Sequence, residues 1–493
     1  MQEFAMRSNH PKNVSDSADL VPRRPKKTDT GRADWGDLLA EGRFSRFILI
    51  CLGVWLTAVD TLVTATIMPS VGLNLGGYAY FGWTIAGFMT GVVLACASAG
   101  RFSEIVGLRR ATVLAGLVFG SGCLMSALAH NMEIFTIGRL VQGIGGGWIS
   151  GFAMIAIALL FPERHLARVF AATAAIWGVA TLLGPLIGGL FADAGNWRGV
   201  FWLFAFQALA FVFAAAGLLG GIAPPTIREG IPWRQLAILA LGIGFIGAAN
   251  IIGSTLTAIL FVILGLTLIA CVLRVDATAQ IRLLPRGASD VTKACGAGYV
   301  AMFTLTAASI GLSAYGPAIL QELRGLSPLA AGYAVAVMAF AWTGSAFAVA
   351  GSDRSNERGW IRAGSACILV GAVLLALVMG QAHLALVLPS AAIMGVGFGL
   401  SSSLMNRRVL GGLSDEDRAI GSSALIASRQ AGGAVGAAIA GVAANFAGFA
   451  SGLNAATAST TALWVFTSLV PLAAVGTWAA WRLTRSQQKA TDA

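Results

Sequence analysis

Charge is what this chain has least of. Of its 493 residues only 11% are charged, while 57% are hydrophobic. An ordinary soluble domain carries about 25% charged residues. A soluble core does not grow to this apolar fraction, so the chain is built for lipid. Histidine is scarce too. The four (His10, His130, His165, His383) fall in the tail or in loops, with no HExxH run and no helical His/Asp cluster. No metal site or metal-assisted hydrolysis is written there. A Walker A run is missing, which excludes a primary ATP-driven pump. The six cysteines (Cys51, Cys96, Cys123, Cys271, Cys295, Cys367) lie in or beside apolar runs without a CxxC pair and read as small packing residues. Alternating segments of about ten residues, the mark of a membrane barrel, are absent. A spanning chain without them is helical, because lipid makes each span satisfy its own backbone.

What is present is a series of long apolar runs. They lie near 47–69, 82–100, 111–129, 134–160, 169–192, 199–222, 235–252, 256–273, 295–320, 330–350, 361–380, 384–404, 420–446 and 461–481. These fourteen predicted spans divide as six, two and six. The expected organisation is a disordered cytoplasmic tail (1–44), a six-helix bundle (45–222), a linker with an inserted helix pair (223–274), a loop (275–294), a second six-helix bundle (295–483) and a short tail (484–493). A duplicated six-helix unit is a transporter-like layout.

The net charge of +11 is a matter of topology rather than nucleic-acid binding. With the N-terminus inside, the loops and tails on that side hold all but four of the 33 Lys and Arg residues. Outside loops hold Arg198 and Arg324, and Arg139 and Arg429 stand within spans. This is the positive-inside pattern, and it predicts both termini in the cytoplasm. The "VPRRPKK" stretch of the N-terminal tail is suited to touching anionic lipid.

Several short runs stand out against the apolar background. "GPLIGG" (Gly184 to Gly189) puts Pro185 in mid-span, where it removes a helix hydrogen bond and bends the helix. Its small residues allow close helix approach, either for a sliding seam or for packing alone. "GGAVGAAIAG" (Gly432 to Gly441) looks like its counterpart in the second half. "GRFSEIVGLRR" (Gly100 to Arg110) joins spans two and three with a turn glycine, an acid and a basic cluster. Such a loop suits a charge lock on the inner face, although arginines alone would also satisfy the inside rule. "FTIGRLVQGIGGG" (Phe135 to Gly147) places Arg139 and Gln142 inside a span.

Together these residues resemble the major facilitator superfamily, and within it the drug:proton antiporters with fourteen spans. The resemblance covers Phe47 to Trp481. "VDTLVTATIMP" (Val59 to Pro69) is similar to the first-helix motif, and "GRFSEIVGLRR" to the loop G-x-L-x-D-R-x-G-R-R, with Gly100, Gly107 and Arg109 in place. "GRLVQGIGG" resembles R-x-x-Q-G on the fourth helix (Arg139, Gln142, Gly143), and "GPLIGG" the core of the antiporter motif (Gly184, Pro185, Gly188, Gly189). "NWRGVF" (196–201), "LQELRGLSPLAAG" (320–332) and "RQAGGAVG" (429–436) also look like fourteen-span exporters. The departures are Glu104 for the loop aspartate, Ile105 for its basic neighbour, Ala180 for an upstream glycine, and a second-half loop, "GSDRSNERGW", too degenerate to assign.

The resemblance implies an all-α integral membrane protein of the major facilitator fold, monomeric, in a bacterial cytoplasmic membrane. It implies no cofactor, with the proton gradient as the drive and protons, amphipathic small molecules and membrane lipids as partners. An uptake symporter and an exporter or flippase of an endogenous lipid remain open alternatives. Trp177, Phe340, Trp342 and Arg429 are the candidate cavity residues.

An intramembrane charge costs about 2.5–3.5 kcal/mol on insertion scales and needs a partner or a wet cavity. Asp60 is the one acid well inside a first-half span. If helix one ends near Pro69, Asp60 lies about 13 Å below that end, and Arg139 lies about 7 Å below the outer end of helix four. The difference of about 6 Å is within an arginine's reach. A carboxylate that meets a cation in one state and a dry cavity in another holds its proton with different strength in each. The resemblance points the same way, with Asp60 as proton carrier and Arg139 as its tuner. Arg429 sits about 13 Å into helix thirteen, and no second-half span offers it an acid. Asn406 is the nearest polar candidate. Three placements are open: snorkelling inward, capping carbonyls at the glycine-rich stretch, or facing the cavity.

Overall fold

In the computed structural model the described residues are 43–161, 163–220, 230–249, 252, 255–350, 355–381 and 383–485. They form fourteen α-helices and no strand. In chain order these are α1 Arg43–Leu75, α2 Phe81–Val106, α3 Leu108–Ala127, α4 Met132–Leu160, α5 Glu163–Asp193, α6 Trp197–Leu218, α7 Trp233–Ala248, α8 Thr255–Thr278, α9 Ala294–Arg324, α10 Pro328–Val349, α11 Glu357–Val378, α12 Leu384–Gly411, α13 Asp415–Phe446 and α14 Ala455–Arg485. Thirteen are long and apolar enough to cross a membrane, and the chain is a multi-pass membrane protein. The remaining helix, α7, has 16 residues, about 24 Å at 1.5 Å per residue, somewhat short of the roughly 30 Å hydrocarbon layer. The expected span 235–252 therefore stops early as a helix, at Ala248. The expected turn around Gly253, almost all of the N-terminal tail, most of the linker after Ile222, the start of the "GSDRSNERGW" loop and the end of the C-terminal tail lie outside the described residues.

Another boundary moves the other way. α1 does not end near Pro69 but continues to Leu75. A proline forfeits one backbone bond, and the residues after it remain free to bond within the helix.

Cap residues mark where helices begin. Asn131, Asn196, Ser327 and Ser414 accept from the backbone N–H groups of Ile134, Gly199, Ala330 and Asp417, satisfying donors a helix start leaves open. Between α2 and α3 the chain turns on Gly107 at φ 85°, a conformation that a side chain resists.

The packing of α1–α6 recurs in α9–α14. In the first half α4 lies against α2 and α3, α1 against α5 and α6, and α3 against α6. In the second, α12 lies against α10 and α11, α9 against α13 and α14, and α11 against α14. The halves meet along two seams, α2 with α13 and α5 with α10, which this correspondence exchanges. The inserted α7 and α8 pack together, and α7 lies against both α2 and α13. One seam thus has a hairpin at its edge.

The near end of the bundle is where α1 starts and α14 finishes. Several side-chain contacts join the halves toward the far end. Phe81 packs on Tyr315 and Phe449, the Asn445 side-chain amide donates to the Ala79 carbonyl, and the Tyr333 hydroxyl donates to the Leu182 carbonyl. Nearer the other end, Gly178 of α5 and Gly344 of α10 have open space where a Cβ would stand.

Candidate functional site

Asp60 stands midway along α1 and is fully buried, and Arg139 on α4 is 2% exposed. The Arg139 Nη1 donates to Asp60 Oδ1 at 2.9 Å and to Oδ2 at 3.0 Å. It also donates to Gln142 Oε1 at 2.8 Å. The Gln142 amide closes the circuit by donating to Asp60 Oδ1 at 2.8 Å, and the Thr64 hydroxyl adds a long fourth contact at 3.5 Å. Helical spacing explains the set: Arg139 and Gln142 are three residues apart on α4, and Asp60 and Thr64 four apart on α1, so each pair shares a face. Phe88 of α2 lies under the guanidinium, 4.4 Å from its ring centroid. Arg139 Nε is buried without a partner. A buried ion pair survives only when further hydrogen bonds fill its remaining sites, and Gln142 does most of that filling. Phe88 and Thr64 escaped the sequence reading; Thr64 alone carried a signal, being four residues after the acid.

Glycines let the helices around this pair approach. A Cβ on Gly143 would run into the Phe88 carbonyl of α2, and one on Gly145 into the Phe119 backbone of α3. The antiporter-like run divides its work. Gly184 and Gly188 face α1, against Leu62 and against Thr66 and Val63, while Gly189 faces Leu329 of α10. The sliding-seam reading thus holds for Gly189 and not for Gly188: one residue is about 100° of helix, so adjacent glycines face different partners. Pro185 sides with Gly189, close to Gly332 of α10. α13 repeats the device. Gly432 and Gly436 face α9 at Phe303 and Ala307, whereas Gly433 faces Met89 of α2.

At the near end Glu104 pairs with Arg101 at 2.6 Å, three residues back on the same helix. Gly100 accepts from the Ser103 hydroxyl, and Arg109 is exposed. The loop acid is therefore held within α2, and it makes no bridge between halves here. In the second half Glu357, at the start of α11, meets Arg407 at 2.8 Å and Arg408 at 3.7 Å on α12. Arg408 also donates to the carbonyls of Leu483 and Thr484 on α14. Sequence reasoning missed this cluster because its loop matched no pattern.

Among the candidate cavity residues, Trp342 and Arg429 touch each other. Trp177 is 47% and Phe340 41% exposed. Trp342 turns to α12 and stacks on Phe398 at 4.9 Å between centroids. Arg429 lies over the Trp342 ring, 5.2 Å from its centroid. Asn406 Oδ1 is buried without a hydrogen bond, and no contact joins it to Arg429 among the described residues. The "NWRGVF" run is a far-end clamp: Arg198 donates to Asn74 Oδ1 and to the Ala129 carbonyl and packs on Trp197.

Residues 50–437 match the Major Facilitator Superfamily. A probable multidrug-efflux transporter of Mycobacterium tuberculosis strain H37Rv is 28% identical over 422 residues, 81% of this chain and 87% of that protein. The multidrug transporter protein MdtP of Bacillus subtilis is 31% identical over 185 residues, 36% of this chain and 34% of that protein. The crystal structure of a D-xylose–proton symporter matches at a TM-score of 0.62 with 16% identity, over 90% of this chain and 99% of its own. That last likeness is one of fold alone. With a matched region running through both repeated six-helix halves, the chain belongs to the major facilitator superfamily, a family of membrane transporters and not of enzymes.

Proposed function

We propose that this chain is a proton-coupled exporter of amphipathic small molecules that works by alternating access. It would sit in a bacterial cytoplasmic membrane with both termini in the cytoplasm. The observation that carries the reading is the buried circuit of Asp60, Arg139 and Gln142. Nothing about packing apolar helices calls for a charge there, and its insertion cost asks for a functional return. Asp60 and Arg139 sit on α1 and α4, two elements of one half, so a small shift between them opens or closes the pair. Closed, the carboxylate has a counter-ion and two further donors and needs no proton. Separated from the cation in a site that excludes water, it holds one. Release follows when the pair reforms on the opposite side of the cycle.

Glycine faces on α5 and α13 give the halves smooth surfaces to rock on. The names of the mycobacterial and Bacillus relatives support drug-like cargo and outward direction. The energy suffices: the membrane potential supplies about 2.3 kcal/mol per charge per 100 mV, a concentration ratio of roughly fifty-fold. No cofactor enters this scheme.

The test is substrate-stimulated proton flux in proteoliposomes across a panel of amphipathic compounds. Compounds that move uphill with a matching proton flux uphold the reading. Compounds that move without any proton flux, at every imposed pH gradient, would falsify the coupling.

A further inference from the structure

Three side chains carry charge near the middle of the spans: Asp60, Arg139 and Arg429. The first two neutralise each other at 2.9 Å. Arg429 has no ion pair and no hydrogen bond among the described residues, and its one described partner is the face of Trp342. It stands nine residues past Ile420, where the apolar span begins, about 13 Å along the helix. It reaches no polar partner at the near end among the described residues, its contact being Trp342. Nor does it cap a backbone carbonyl in the glycine-rich stretch. Arg429 as a whole residue is half-buried, and its nitrogens are not among the buried atoms that lack a partner, unlike Nε of Arg139.

The register of α13 says where this cation points. Gly433, one turn on, faces Met89 of the first half, and Ala437, two turns on, meets Gly82 of α2. Arg429 continues that edge one turn toward the near end. It therefore lies on the face of α13 turned toward the first half. Trp342, stacked on Phe398, fixes an apolar plate beside it.

We propose that Arg429 and Trp342 form a subsite for the carboxylate of an amphipathic organic anion, the apolar body lying toward the aromatic plate. The substrate role rests on the transport reading above; the binding itself does not. A guanidinium offers a planar fork of parallel donors that fits a carboxylate. In this setting the bound anion neutralises the one uncompensated charge of the three.

The test uses the full-length chain in phosphatidylcholine nanodiscs with no gradient. The probes are 6-(2-naphthyl)hexanoate and its primary carboxamide, equal in shape and different in charge. The wild type is expected to bind the carboxylate about tenfold or more tightly than the amide, the range of a hydrogen bond to a charged group. Arg429→Gln should bring the ratio near one. Arg429→Lys, which keeps the charge and loses the fork, should lower it several-fold, and it carries the test should the Gln variant not fold. A merely structural Arg429 would change stability and leave the ratio alone. Equal affinities in the wild type, no binding of either probe, or a ratio unmoved by both variants overturns the subsite. Proton flux, measured separately, decides the transport reading whichever way binding falls.

Discussion

Gly189 of α5 and Leu329 of α10 touch across the seam so closely that a Cβ on Gly189 would stand 2.6 Å from the Leu329 Cα. The obstacle is backbone, so a side chain cannot be accommodated by a rotamer change. Gly189→Leu is therefore expected to hold the far end open. Cysteines placed on the α5 and α10 ends should lose most of their cross-linking, and transport should fall at least about tenfold. Gly188→Leu meets Thr66 and Val63 within the first half instead. It should lower thermal stability while sparing whatever cross-linking survives. Identical behaviour of the two variants would mean that the seam does not close through Gly189.

Asp60→Asn removes the counter-ion of Arg139 and keeps the shape. Breaking a buried pair by deleting one partner costs roughly 3–5 kcal/mol. Here the Gln142 carbonyl still accepts from Arg139, so the lower part of that range is expected, with the protein still inserted. Proton-driven uphill transport should vanish. The double variant Asp60→Asn with Arg139→Gln should lose less stability than the two single losses combined, because the second change removes the stranded charge. Thermal denaturation in detergent and vesicle efflux check the two halves of this statement. Undiminished uphill efflux by Asp60→Asn would remove Asp60 from the coupling path.

The pair itself was legible because it breaks the local rule: a charge in an apolar run demands a partner, and the first half offers one acid well inside a span. The depth estimate reached the right neighbour with a wrong helix end, since α1 runs on past Pro69 to Leu75. The number of helices and their six–two–six division follow from apolar length, although α7 falls short of a full span. Helix facing does not follow from motif content. Gly188 and Gly189 are adjacent letters with different partners, and the direction of a face depends on helix rotation that no single helix encodes. The Glu357 cluster and the contact of Trp83 with α7 were illegible for a related reason. Each joins ends of helices that are far apart in sequence, and the residues involved read singly as ordinary loop charges or interfacial aromatics.

Glu357 ties α11 to α12 at the near end, through Arg407 and the buried Arg408. Glu357→Gln leaves Arg408 its two carbonyls on α14 and deprives it of an anion. A stability loss of about 1–3 kcal/mol is expected. Hydrogen exchange should rise at the end of α14 near Thr484, with the far end of the same helix unchanged. Uniform exchange across α14 would show that this cluster does not hold the near end.

The inserted hairpin should be separable from transport, and one side-chain hydrogen bond ties it to α2 beside its apolar packing. The Trp83 indole N–H donates to the Gly247 carbonyl at 2.6 Å, near the last turn of α7. The ring also fills the space that a Cβ on Gly247 would take. Gly242 and Gly265, which approach each other's backbone, hold α7 to α8 independently of that anchor. Trp83→Phe removes the donor and keeps most of the ring, a change worth about 1 kcal/mol. Gly247→Val adds bulk where the ring packs and should be the harsher of the two. If α7 is a plate laid over the edge of the α2–α13 seam, both variants should raise hydrogen exchange in Trp233–Ala248 and leave the Asp60–Arg139 region protected. A lipid-soluble quencher should then reach the α2–α13 seam more readily than in the wild type. Loss of protection around Asp60 in Trp83→Phe would instead make the hairpin part of the moving core, and its contact with α2 and α13 would have to be read as coupling rather than cover.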